Sequence, residues 1–295
     1  MRTSCEWIPE DIATILDTRS SEIVERRVAQ AYWNLYPNGN QQFVPWAFRL
    51  VLNCFEGRYP GYQAIDARYH DWEHTLQGTL AFAILLEGRA QSGATPVIHQ
   101  ELGELGMLAI LLHDTGYLKR TDDLSGTGAK YTMTHVNRSC DFAEMILREN
   151  GFSTRQYQSV QHMIRCTGVG QKIEAIPFQS EEEKILGLAL GTGDLLGQMA
   201  APDYLEKLPI LYDEFLESAQ FNEGRGGPPL AFHSVADLCA KTPLFWRHYV
   251  CAKIEKEFAG LYRYLARPTP MGRNVYMEAI QANIDRLERQ LAAVA

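Results

Sequence analysis

Apolar residues recur at intervals of three and four along almost the whole chain, the spacing that gathers them on one helix face. Alternating runs rich in Val, Ile and Thr are nearly absent, so strands are not expected. The pattern predicts helices over about 9–17, 20–34, 43–54, 71–87, 98–113, 134–150, 154–166 and 181–200, and a further one from 203. Breaks fall at the Gly/Pro/Tyr stretch 56–62 and the Gly/Ser/Pro stretch 92–96. Gly88 and Gly151 stand where helix C-terminal caps belong. Thr134 is placed to cap the helix after it, and Ser180 with Glu183 spells a capping box. Pro209 is expected to bend its helix. Thr242 as cap with Pro243 in the first turn is expected to open a long helix to about Leu265, ended by Arg267-Pro-Thr-Pro270. An amphipathic helix closes the chain over about 273–293. Between helices lies a long polar loop, about Gly116 to Met133, and a shorter flexible one at 222–229. A loop as long as the first is more often functional than incidental, and this one is expected to be mobile. The fold class that follows is all-α, a single domain over 1–295 with no repeat and no linker.

Composition agrees with an ordinary globular chain. Of 295 residues 46% are hydrophobic and 22% charged, which excludes disorder as a global reading. The formal net charge of −8 argues against a nucleic-acid polymer as partner. No apolar run approaches the roughly 18 residues of a membrane span. The longest candidate, Leu80 to Leu86, is far shorter, so no membrane partner is expected. The N-terminus has no continuous apolar core of the kind a secretory signal needs, and a cytoplasmic location is the expectation. Six cysteines occur without a C-x-x-C pair and fit reduced thiols.

Chemistry concentrates in the histidines. Six of the eight fall between residues 70 and 162. His113-Asp114 ends the apolar run Met107-Leu-Ala-Ile-Leu-Leu112, where two ionisable groups are costly to bury unless paired or bound to a metal. His70 and His74 are four apart in Tyr69-His70-Asp71-Trp72-Glu73-His74 and share a face if helical. Asp194 sits in Leu190-Gly-Thr-Gly-Asp194-Leu-Leu, a second carboxylate in an apolar helix. His135 follows Thr134 at a helix start, and His162 lies on the next helix. His99, His233 and His248 fall outside this set and read as structural or surface residues.

The ordered set His74, His113-Asp114, His135, His162 and Asp194 resembles the H…HD…H…H…D signature of the HD-domain metal-dependent phosphohydrolase superfamily. Tyr69-His70-Asp71-x-x-His74 also looks like the Y-H-N-x-x-H motif of its cyclic-nucleotide phosphodiesterase branch, with Asp71 in place of Asn. The likeness covers residues 74 to 194, and implies an HD core over about 62–200 with flanking helices at 1–61 and 201–295. Two features depart from it. After His113-Asp114 comes Thr-Gly-Tyr-Leu-Lys119, without the Gly-Tyr-Pro element of the diguanylate-specific branch or the His-Pro-Gly continuation of the eukaryotic enzymes.

The resemblance implies two divalent metal ions, drawn from Mn, Fe, Zn, Co, Ni or Mg. His74, His113, Asp114 and Asp194 would hold the first. Asp114 would bridge to a second, held also by His135 and His162. It implies hydrolysis of a small phosphate-containing molecule, a phosphodiester or nucleotide, by metal-activated hydroxide. His70 would protonate the leaving oxygen, with Asp71 or Glu73 as the carboxylate beside it. Arg138 and Arg165 each lie three residues after a ligand histidine, and their forked guanidinium groups suit phosphate oxygens. Lys119 and, more weakly, Lys130 are further candidates. Two alternatives stay open: the same six ligands serve diiron oxygenases of the HD type, and a non-catalytic metal- or nucleotide-binding helical module needs only part of the set.

Overall fold

The computed structural model describes residues 16–225 and 229–294; the helix expected over 9–17 lies almost wholly outside them. Ten α-helices are described: α1 Ser21–Leu35, α2 Phe43–Phe55, α3 Trp72–Gln91, α4 Gln100–Leu112, α5 His135–Glu149, α6 Thr154–Ile164, α7 Glu181–Ala200, α8 Tyr204–Asn222, α9 Val235–Leu244 and α10 Val275–Val294. The described residues contain no strand, only two isolated bridges, Tyr62 with Arg120 and Arg267 with Arg273. The fold is all-α. None of the described helices is long and apolar enough to cross a membrane.

Local chemistry accounts for the helix starts. Ser20, Asp71 and Ser153 each accept a hydrogen bond from a first-turn N–H of the helix they precede. Ser153 and Gln156 make a complete capping box. Ser180 forms only half of one. Its hydroxyl accepts from Glu183 N–H, but the Glu183 carboxylate turns away, to Ser159 and His162. Asn150 and then Gly151, at φ +83°, end α5 as expected.

Three expectations need correction. Gly88 does not end α3, which runs on to Gln91. A Cβ at Gly88 would strike the Tyr264 carbonyl, so this glycine admits a neighbouring segment, not a cap. Thr134 makes no capping bond; its hydroxyl donates back to Tyr131 O. Thr242-Pro243 does not open a helix. Helix α9 starts earlier, because Ser234 accepts from Asp237 N–H and the Asp237 carboxylate accepts from His233 N–H. Pro243 sits inside that helix, and wide π turns over Phe245–Val250 and Lys253–Glu257 follow it. Ala259 and Gly260, both left-handed, end the stretch before a short 3₁₀ turn at Leu261–Leu265.

Helices α3 and α7 pack on each other at the centre. Helices α1 and α4 also pack on α3, and α4, α6 and α10 on α7. One hydrophobic cluster joins residues from α1 through α10. Small residues set the α3–α7 spacing. A Cβ on Gly197 would lie 2.6 Å from the Gln77 carbonyl, and one on Gly193 2.9 Å from Gly78 O. Gly78 is one turn after His74, and Asp194 lies between the two α7 glycines, so this close crossing carries both side chains to one place.

The 116–133 segment is braced where an open loop was expected. Lys119 Nζ, buried, meets Asp66 at 2.8 Å and Gly126 O at 2.7 Å. Gly128 N–H donates to Asp66, and Thr127 donates to Glu217. Buried Lys130 pairs with Asp123. Polar side chains here supply the order that apolar packing supplies elsewhere.

Candidate metal centre

Four helices deliver the cluster. His74 comes from the first turn of α3, His113-Asp114 from the end of α4, His135 from the start of α5 and Asp194 from the middle of α7. His74 Nε2 lies 3.1 Å from Asp114 Oδ2 and 3.3 Å from Asp194 Oδ1. His113 Nε2 lies 3.2 Å and 3.4 Å from the same two oxygens. His113 and Asp114 are each only 1% exposed. Even so, His113 Nε2 and Asp114 Oδ2 have no aligned hydrogen-bond partner. Unpaired buried polar atoms normally cost too much to keep. Their spacing is compatible with a shared ion: two ligand atoms each about 2.1 Å from one ion sit roughly 3.0–3.4 Å apart for angles between octahedral and tetrahedral.

The electrostatics point the same way. Burial alone would push His74 down, but Asp114 and Asp194 outweigh it and raise the imidazole to about 9. Burial opposes charge on His113 as well, and the same two carboxylates hold it well above its ordinary value. Burial would raise Asp114 and Asp194; the histidines beside them hold both well below the usual carboxylate range. Two anions and two inward-facing imidazoles thus surround a point that favours positive charge. Asp194, His74 and His113 have ligand atoms close enough to share one ion, and so do His70, His74 and Asp114.

Asp114 faces two ways. Oδ2 addresses His74 and His113, while Oδ1 lies 3.8 Å from His135 Nε2. Backbone carbonyls fix the orientation of two of these rings. His113 Nδ1 bonds Ile110 O at 2.7 Å and His135 Nδ1 bonds Thr132 O at 2.6 Å, which turns each Nε2 toward the carboxylates. Burial, as the largest effect, lowers the His135 imidazole and keeps it in the neutral form that binds metals. Gly116 N–H donates to Ser139, and a Cβ at Gly116 would strike the His135 carbonyl, so the turn after Asp114 is pressed onto the start of α5.

His162 is not joined to this group by any ion pair or ring contact among the described residues. Its Nδ1 meets the buried Glu183 carboxylate at 2.7 Å and its ring lies against Phe178. The carboxylate–imidazole pair is the arrangement that orients metal-binding histidines, and it leaves Nε2 as the outward nitrogen.

His70 stands over the cluster. Its Nδ1 lies 2.6 Å from Glu214 Oε2, and its ring stacks on Tyr117 at 4.3 Å. Tyr117 in turn stacks on His135 at 4.7 Å, so one buried phenol ring packs against both imidazoles, which are tilted 32° to each other. Burial would raise the Glu214 carboxyl, but His70 and the Tyr69 N–H outweigh that and keep it an anion. The carboxylate beside His70 is therefore neither Asp71 nor Glu73. Asp71 is spent capping α3 at His74 N–H, and Glu73 pairs with Lys207. Glu214 arrives from α8, 144 residues away, a separation that no local motif encodes. Nothing local marks it, since Glu206, Asp213 and Glu217 lie on the same helix.

The basic candidates are engaged elsewhere. Arg138 donates to Gly116 O at 2.7 Å and Leu118 O at 2.8 Å, and lies 3.5 Å over the Tyr131 ring. Arg165, exposed on one side, donates to Asn137. Lys119 is tied to Asp66 and Gly126, and Lys130 to Asp123. None of these four lines the cleft beside the cluster. That cleft, about 220 Å³, is lined at one end by His70, His74, Asp114, Tyr117, His135 and Asp194.

The model of the Npun_R2479-like family matches residues 20–290. The chain belongs to that family. The Npun_R2479-like match takes in every residue of the cluster as well as Tyr117 and Glu214. No curated protein matches the chain.

Proposed function

We propose that this Npun_R2479-like protein is a metal-dependent phosphohydrolase that cleaves a small phosphoester, a phosphodiester in preference to a monoester. The observation that carries the reading is the His70–Glu214 pair set beside the His74, His113, Asp114 and Asp194 cluster. Divalent ions bound there would supply a water that loses its proton near neutral pH and would draw charge from the phosphoryl oxygens. His74, His113 and Asp194 suit one ion, and Asp114, with an oxygen on each side, suits a second shared with His135. His162 would complete that second set, as its resemblance to the HD signature implies.

The remaining chemistry belongs to the chain itself. Glu214 accepts from His70 Nδ1–H and holds the ring with Nε2 toward the cleft, where it can deliver a proton to a departing alkoxide. Tyr117 stacks on that ring and on the His135 ring and so restrains both. Asp114 and Asp194, held as anions, offer carboxylate oxygens ready to bind, and an ion there would displace the protons that they draw onto His74 and His113. Because Arg138, Arg165 and Lys119 are tied into the fold, no guanidinium among the described residues lines the cleft, and a singly charged diester fits better than a dianion.

The weak cationic lining also favours one second reading, an HD-type oxygenase acting on an uncharged substrate. Metal analysis of the purified chain followed by assay with Mn²⁺ and bis(4-nitrophenyl) phosphate separates the two. Metal-dependent release of nitrophenol, lost in Asp114→Ala, supports the hydrolase. Two tightly held irons with oxygen consumption and no turnover of phosphoesters would replace it with the oxygenase.

A further inference from the structure

The cleft has two unlike ends. The inner end carries the cluster and His70. The outer wall is apolar and comes from the C-terminal part of α7, from α8, and from α9 with the turns that follow it. Leu211 and Phe215 face the cleft from α8, Phe232 from the chain before α9, and Phe245 from the π turns. Phe215 and Phe232 stack on each other at 5.6 Å. Phe245 is 41% exposed. This wall is a concave apolar surface left in contact with water, and a ligand that covered it would gain the transfer energy of the area removed.

Several polar groups along the outer part already have partners within the chain. Gln198 accepts from Tyr69 OH and donates to Asp194 O. The hydroxyls of Thr132, Thr167 and Thr242 donate to Ala129 O, Ile164 O and Leu238 O. Lys241, the cation among the described lining residues, donates to Asp237 and Ala231 O. A nucleobase or a ribose entering this space would leave its water partners and find few replacements, a net cost for each group. The cleft of about 220 Å³ is also smaller than the roughly 300–1,000 Å³ usual for drug-sized ligands.

The geometry points to a small ester with one aryl or branched-alkyl body on the Leu211–Phe215–Phe232–Phe245 wall and its anionic head at the metal cluster, with nucleosides and sugar phosphates rejected. The head rests on the hydrolase reading; the body rests on the wall alone. The test is isothermal titration of the full chain, loaded with Mn²⁺, against the monomethyl esters of phenylphosphonate and of ribose 5-phosphate, named below by their parent acids, two compounds with like singly charged heads and unlike bodies. Phenylphosphonate should bind at least about tenfold tighter, as burial of one phenyl face would give. Leu211→Asn and Phe232→Ala, each checked for folding by circular dichroism, should cut that preference below about threefold without changing ribose 5-phosphate binding. Equal or tighter binding of ribose 5-phosphate to the unaltered chain overturns the assignment. Aryl preference without turnover of any phosphoester supports the cleft assignment and removes the hydrolase reading. Turnover with a nucleotide preferred does the reverse.

Discussion

Under the proposed reading the buried Asp114 and the partly exposed His70 divide the chemistry between them, and they should fail differently when changed. Asp114 presents one oxygen to His74 and His113 and the other toward His135, so Asp114→Ala should release both ions, whereas His135→Ala should weaken one. Elemental analysis after gel filtration reads the difference; wild-type metal content in Asp114→Ala would refute the bridging role. His70 has its carboxylate partner outside the cluster, so His70→Ala should keep its metal and lose about 10²–10⁴-fold in turnover of alkyl esters. The loss should shrink for nitrophenyl esters, whose leaving group needs no proton. Glu214→Gln should follow His70→Ala in this leaving-group dependence, more weakly, since the amide still meets Nδ1. Equal impairment on both ester types would make His70 a structural residue. The candidate ligands were readable from a resemblance in their order along the chain, helped by His113-Asp114 and Asp194 standing in apolar helices; His135 and His162 lie on polar ones. Glu214 and Tyr117 were not. Their roles come from a contact 144 residues apart and from ring stacking, and neither leaves a spacing behind.

Among elements, the crossing of α3 and α7 decides whether the cluster exists at all. Gly197 lets the two backbones approach, and the side chains one turn away on each helix are His74 and Asp194. Gly197→Ala should therefore cost about 1–3 kcal/mol of stability, as overpacked sites do. It should also lower metal affinity, because Asp194 moves off with α7. Thermal unfolding and a Mn²⁺ titration of the same sample check both; lost stability with unchanged affinity would show that the site tolerates a wider crossing. Helix periodicity foretold α3 and α7 and nearly all their neighbours, since a one-faced apolar stripe is a local property. It misread Gly88 as a cap because a glycine that admits a neighbouring carbonyl and one that ends a helix are the same letter. It placed the start of α9 too late because Thr242-Pro243 imitates a helix opening, while Ser234 with Asp237 had already made one. The 116–133 segment was read as loose from its Gly and Asp content. Its order comes from Asp66 and Glu217, partners remote in sequence.

At the scale of the molecule, the cluster is a cross-link among helices that are otherwise held by apolar packing. Helices α3, α4, α5 and α7 each place at least one charged or ionisable group at a common point, and the two anions there are almost shut off from water. Such a centre needs positive charge, from protonated His74 and His113 or from a bound ion. Under the proposed reading an ion supplies it, so the folded state should bind divalent metal far better than the unfolded chain, where these residues are scattered over 120 positions. That difference in affinity becomes stability by mass action. At a free metal concentration about a hundred times the dissociation constant, the gain is about 2.7 kcal/mol. For a chain of this size each kcal/mol moves the melting temperature by about 2 °C or more, so Mn²⁺ should raise it by about 5 °C over the EDTA-treated protein. The same shift should vanish in Asp114→Ala and persist in His70→Ala, which separates cross-linking by the cluster from nonspecific binding to an acidic surface. A melting temperature that ignores EDTA and Mn²⁺ alike would mean that the four helices hold this arrangement without an ion, and that the His/Asp group is a hydrogen-bonded core and not a metal centre.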